Sequence, residues 1–150
     1  MKLSTRGEYG LRAMFDLAMR QGEGPIPLKD IAERQAISGH YLEQLIAGLR
    51  KAGLVKSVRG AQGGYMLGRS PEEITVGDIV RVLEGPIGPT ECVSEDDAAY
   101  CDRSETCIAR RVWARVRDSI VEVMDSITLK DMCAEAEKIA QESKGNMYYI

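Results

Sequence analysis

Two stretches with helical apolar spacing, Leu28 to Arg34 and Tyr41 to Leu49, stand on either side of the corner Ile37-Ser38-Gly39. In the second stretch Tyr41, Leu42, Leu45, Ile46 and Leu49 recur at the three- and four-residue steps of one helix face, ending near Gly53. Ser38 is a natural N-cap, because its hydroxyl can accept from the free amides of the first turn. Two helices joined by so short a glycine-containing turn make a helix-turn-helix. The residues beyond it narrow the choice further. Leu54-Val55-Lys56-Ser57-Val58 alternates as a strand, Arg59-Gly60-Ala61-Gln62-Gly63-Gly64 is a flexible turn, and Tyr65-Met66-Leu67 returns as a second strand. The hairpin is the wing of a winged helix.

A first helix from Ser4 to Arg20 is predicted by Leu11, Met14, Phe15, Leu17 and Ala18, with Ser4 or Thr5 as its cap, and Gln21 to Pro25 breaks it. Thr75 caps a fourth helix through Leu83, with Ile79, Val80 and Leu83 facing the core, and Gly85-Pro86 and Gly88-Pro89 end it. A long helix is expected from about Ser104 to Ile127, where Ile108, Val112, Val116, Ile120, Val123 and Ile127 repeat over several turns. Trp113, Val121 and Met124 widen that stripe and need a second surface to cover them, the mark of a dimerisation helix. Thr128 caps a last helix, from which Leu129, Met132, Cys133 and Ile139 can pack back, before a tail fraying from Gly145 to Ile150. The expected fold is therefore mainly α with a small β-wing. It divides into a winged helix-turn-helix over residues 1–84, a cysteine-bearing loop over 85–103, the dimerisation helix over 104–127, and a C-terminal helix and tail over 128–150.

Charge divides the chain. The total is −3, yet residues 1–70 hold 11 Lys/Arg against 6 Asp/Glu, a net of +5, and the remaining 80 residues hold 9 against 17, a net of −8. Phosphate responds to local potential, so the first half suits a polyanion such as double-stranded DNA. In a helix-turn-helix the second helix enters the major groove with its first residues at base edges, which here are Gly39, His40, Glu43 and Gln44. Gln44 can pair with adenine, Glu43 can accept from a cytosine amino group, and His40 can reach a base or a phosphate. Arg50, Lys51 and Lys56 would neutralise phosphate, Ser38 would offer a hydroxyl, and Arg59 beside Gly60 at the wing tip suits a narrow minor groove. Tyr41 completes the DNA-facing set.

A single histidine, with no nucleophile-base pair and no Gly-rich phosphate loop, argues against an enzyme. Without a long apolar run or a charged-then-apolar leader, the expectation is a cytoplasmic protein with no membrane partner. In that compartment structural disulfides are disfavoured. Three of the four cysteines, Cys92, Cys101 and Cys107, fall within 16 residues, in a loop that also carries Glu91, Glu95, Asp96, Asp97, Asp102 and Glu105. Zinc sites usually pair ligands two to four residues apart, which this spacing does not, whereas three thiolates on a long loop suit an iron-sulfur cluster. A thiol redox switch and an unliganded loop are the competing readings. Cys133 is expected to be buried.

The opening Met1-Lys2-Leu3-Ser4-Thr5-Arg6-Gly7-Glu8-Tyr9, the stretch Ile37-Ser38 with Tyr41-Leu42-Glu43-Gln44-Leu45, and Gly53-Leu54-Val55 followed by Arg59-Gly60 and Gly63-Gly64-Tyr65 resemble the regulators typified by IscR, with NsrR and CymR as relatives. The likeness runs from residue 1 to about 130. It implies a homodimeric winged-helix regulator on a palindromic operator, a 2Fe-2S cluster on Cys92, Cys101 and Cys107, and base reading by His40, Glu43 and Arg59. IscR-like proteins place a histidine as fourth ligand three residues after the third cysteine, but Arg110 stands there and has no lone pair to give. NsrR-like relatives use an acidic residue near the N-terminus, donated across the dimer, and Glu8 matches it. A small thiol or water is the other way to complete the shell. The function implied is cluster-sensing control of iron-sulfur cluster biogenesis genes. The alternatives are nitric oxide sensing and a CymR-like repressor governed by a partner protein without a cluster.

Overall fold

The computed structural model describes residues 2–96 and 101–148. Its helices are α1 (Thr5–Met19), α2 (Leu28–Gln35), α3 (Gly39–Lys51), α4 (Val76–Glu84), α5 (Ile108–Ser126) and α6 (Leu129–Tyr148). Strands β1 (Val55–Val58) and β2 (Gly64–Leu67) pair antiparallel between α3 and α4, in a register that sets Val55 opposite Leu67 and Val58 opposite Gly64. Ile26 adds a short third edge to this sheet by exchanging two hydrogen bonds of 2.8 and 2.9 Å with Tyr65. The winged helix-turn-helix is thus present, with every helix start that a cap predicted in its first 85 residues.

The turn between α2 and α3 is held locally. Ala36 takes a left-handed φ of 54°, and Ile37 N–H closes the helix end on Ala32 O at 3.0 Å. Ser38 Oγ then accepts from Tyr41 N–H at 3.2 Å. The core gathers Met14 of α1, Ile31 of α2, Leu42, Ile46 and Leu49 of α3 and Ile79 of α4, all without meaningful exposure.

One charged group lies inside. Asp16 is 1% exposed and is gripped by Arg34 through Nε at 3.0 Å and Nη2 at 2.8 Å, with Gln35 Nε2 at 3.2 Å. Burial alone would push its carboxyl up. The hydrogen bonds from Arg34 and Gln35, with the charge of Arg20, outweigh that and hold it below the ordinary carboxylate range. A second carboxylate caps a helix from a distance. Glu84, at the end of α4, accepts from the N–H groups of Ser4 at 2.9 Å and Gly7 at 3.0 Å at the positive end of α1. A Cβ at Gly7 would stand 2.7 Å from Glu84 Oε1, so a side chain there would displace the carboxylate from this position.

The chain after residue 84 departs from expectation in three places. The long helix begins at Ile108, because residues 102–106 are wound into turns with Cys107 N–H on Arg103 O at 2.8 Å. The last helix continues to Tyr148 past Gly145, since no proline or cap stops it and one glycine costs a helix only about 1 kcal/mol. Ile139 does not pack back but is 53% exposed. Main-chain hydrogen bonds tie the junction of α5 and α6 to the start of α4. Val76 N–H reaches Ile127 O and Leu129 N–H reaches Ile74 O, both at 2.9 Å, and Leu129 is fully buried in the winged-helix core. Thr75 and Thr128 each form a capping box, with Asp78 and Asp131 respectively.

Candidate nucleic-acid interface and cysteine loop

The first turn of α3 presents Gly39, His40, Glu43 and Gln44 to solvent, with His40 Nε2 and Gln44 Nε2 3.4 Å apart. A concavity of about 460 Å³ separates α3 from the wing, walled by Glu43, Ala47, Arg50, Lys51 and Tyr65. Arg50 Nη1 donates to Ser57 Oγ at 3.3 Å, so the end of α3 is tied to β1. Lys56, Arg59 and Gly60 are exposed along the wing, and Gly60 needs its glycine for a φ of 116°. Ser38 is exposed; its oxygen accepts from Tyr41 N–H, which leaves its own hydrogen free to donate. Tyr41 is half-buried. Its hydroxyl hydrogen-bonds Thr5 Oγ1 at 3.0 Å, and its ring meets Tyr9 edge-on at 6.0 Å, so it braces α3 against α1.

The cysteine loop is fastened by contacts that no local pattern signalled. Arg81 of α4 forks between Glu95, at 2.9 and 3.0 Å, and Asp125 of α5, at 2.7 and 2.9 Å. It holds both carboxyls below their usual range. Glu95 also accepts from Ile87 N–H at 2.9 Å, and Arg117 Nη1 of α5 donates to Val93 O at 3.1 Å. The segment from Ile87 to Glu95 is therefore clamped between α4 and α5.

Within and beside that clamp lie the thiols. Cys92 is half-buried with Thr90 Oγ1 3.1 Å from its sulfur, Cys107 is half-buried at the start of α5, and Cys101 is exposed; all three are free. Asp97, one of the acidic loop residues, lies outside the described residues. Three free thiols, one beside a hydroxyl, fit soft iron in kind. No group of three metal-competent side chains is gathered among the described residues, and Glu8 is exposed on α1 and belongs to none. Cys133 is half-buried against the core, and burial pushes its thiol up.

Helix α5 has no buried residue in the single chain, and Ile108 (69% exposed), Val112 (49%), Trp113 (41%) and Val123 (57%) face outward. Among the described residues no helix is long and apolar enough to cross a membrane.

Comparison with known proteins agrees with this architecture. A profile of the Rrf2 family, described as an iron-dependent transcriptional regulator, matches residues 3–135. The transcriptional regulator CymR of Bacillus subtilis is 49% identical over 150 residues, covering the whole of both chains. IscR of Pectobacterium carotovorum is 41% identical over 137 residues, covering 91% of this chain and 82% of its own. Among solved structures, that of T. potens IscR superimposes with a TM-score of 0.79 at 55% identity, covering 99% of this chain and 97% of that one. With a winged helix-turn-helix and this extent of likeness, the chain belongs to the Rrf2 family of DNA-binding transcriptional regulators.

Proposed function

We propose that the protein is a homodimeric regulator whose DNA binding answers to an iron-sulfur cluster of the 2Fe-2S type, and that it controls cluster biogenesis genes through a palindromic operator. The observation that carries this reading is the trio of free, solvent-reachable thiols on the loop clamped by Arg81. Cys92, Cys101 and Cys107 would hold the cluster, with Glu8 of a second copy as the candidate fourth ligand. When bound, the cluster would supply a signal of iron and redox supply.

The rest is done by the chain. A change in the loop's path moves Glu95, and through Arg81 it moves α4 and α5 together. Two recognition helices carried on a dimer must match half-sites at a set spacing, so a small tilt alters affinity. His40, Glu43 and Gln44 would read bases, and Ser38, Arg50 and Lys56 would seat on phosphate, with Tyr41 bracing α3. Arg59, with Gly60, would enter the minor groove. Replacing Arg59 by alanine is expected to lower operator affinity about tenfold at moderate salt, measured by fluorescence anisotropy. Unchanged binding would remove the wing from the interface.

Anaerobically purified protein is expected to be coloured, with iron and sulfide in equal amount, and Cys92→Ala to lose the visible absorbance. A second reading follows from the full-length likeness to CymR: a repressor controlled by a partner protein. Colourless, iron-poor protein after anaerobic reconstitution, still binding its operator, would favour it over the cluster reading.

A further inference from the structure

A cavity of about 290 Å³ lies on the opposite side of the wing root from α3's end, between the last turn of α1, the α1–α2 turn and the segment leaving β2. Its apolar part is made by Leu17, Ile26 and Leu67, each at most 8% exposed. Three cations line it, Arg20, Lys56 and Arg69, and no carboxylate does. The cavity thus gathers three of the 11 cations of residues 1–70 and none of their 6 carboxylates.

Two of the three cations are uncommitted, and the third is loosely paired. Lys56 and Arg69 make no ion pair among the described residues. Arg20 stands 3.7 Å from Asp16, but both oxygens of Asp16 are already taken by Arg34 and Gln35 at shorter distances. The backbone N–H groups of Gly22 and Gly24, in the turn that walls the cavity, likewise make no hydrogen bond to backbone or side chain among the described residues. Converging positive charge with free amides over an apolar wall recognises a small anion on a short hydrocarbon body, and the volume is at the lower end of the roughly 300–1,000 Å³ found for ligand pockets.

We propose that this cavity binds a small organic anion, a phosphate or carboxylate carried on a short apolar group, as an effector separate from the cysteine loop. Its position gives it a consequence. The sheet is joined to the α1–α2 turn by the Ile26–Tyr65 pair of hydrogen bonds. An anion bridging Arg20 to Arg69, with Lys56 left to the DNA phosphate proposed for it, adds a further tie and biases the angle at which the wing is presented. Such a ligand changes operator affinity only through its preference between wing positions.

The test uses the full-length protein, labelled with nitrogen-15 and titrated with monobutyl phosphate at fixed ionic strength, with inorganic phosphate and n-butanol as controls. Saturable shifts are expected at the Gly22, Gly24 and Gly68 amides. Monobutyl phosphate should bind at least tenfold more tightly than either control, and Arg69→Gln, checked for unaltered thermal unfolding, should weaken it tenfold or more. Operator and monobutyl phosphate should bind together. Absence of saturable shifts, or n-butanol binding as tightly, overturns the proposal. So does displacement of monobutyl phosphate by operator together with lost operator affinity in Arg69→Gln, which would make the cavity a seat for a DNA phosphate instead.

Discussion

Replacing Asp16 by alanine is expected to lower the free energy of unfolding by about 3 kcal/mol, read from urea denaturation at neutral pH. Truncating one member of a buried, hydrogen-bonded ion pair costs about 3–5 kcal/mol, because the charge left behind loses its partner. The lower end applies here. The side chain of Arg34 is 33% exposed and can turn towards water once Asp16 is gone. The pH dependence follows from the lowered carboxyl. In the unfolded chain Asp16 titrates near about 3.9, so its contribution is fully present above that value and is lost as pH falls through the lower value of the folded state. Wild type should therefore lose stability in acid more steeply than Asp16→Ala. Parallel acid profiles would mean that the Arg34 pair adds nothing. Because Asp16, Arg34 and Gln35 bind α1 to α2, the loss should be global rather than confined to one end.

The double substitution Val112→Glu, Val116→Glu is expected to leave the protein monomeric by analytical ultracentrifugation and to lower operator affinity by more than about a hundredfold. Single-module binding to non-specific or half-site DNA falls in the range of roughly 10⁻⁴ to 10⁻⁶ M, and joining two modules makes the second contact intramolecular. Val112 and Val116 lie one turn apart on a helix that carries no buried residue in the single chain, and they continue a stripe with Ile108. Two carboxylates on that stripe cannot be buried against a partner without large desolvation. Folding of the winged helix should survive, since its core gathers residues of α1 to α4 with Leu129 and none from α5. A variant that stays dimeric would show that α5 is not the interface.

Between residues 4 and 84 most of what the structure contains could be read directly, and the residues say why. Ser38 caps α3 through an amide three positions away, Thr75 caps α4 by the same reach, and the glycines of the wing turn act on their own backbone angles. Such signals are complete within a window of a few residues. The helix face from Leu42 to Leu49 was legible for the same reason. Tyr41 was less so, because its role as a brace depends on Thr5 and Tyr9 of another helix. The start of α5 was misplaced by four residues because turns, which the apolar repeat does not report, hold the chain as far as Cys107.

Local chemistry thus prescribed the identity of the elements, the exposed residues at the head of α3, and the presence of three thiols in and beside one loop. Folding alone decided what those elements are fastened to. Arg81 meets Glu95 and Asp125 across 14 and 44 positions, and Glu84 caps α1 across 77 to 80. No periodicity or spacing encodes such pairs, since each partner is an ordinary surface charge until packing brings the other within 3 Å. The basic cavity at the wing root has the same origin: Arg20, Lys56 and Arg69 are unremarkable apart and become a site only when α1, β1 and the exit of β2 close around one space.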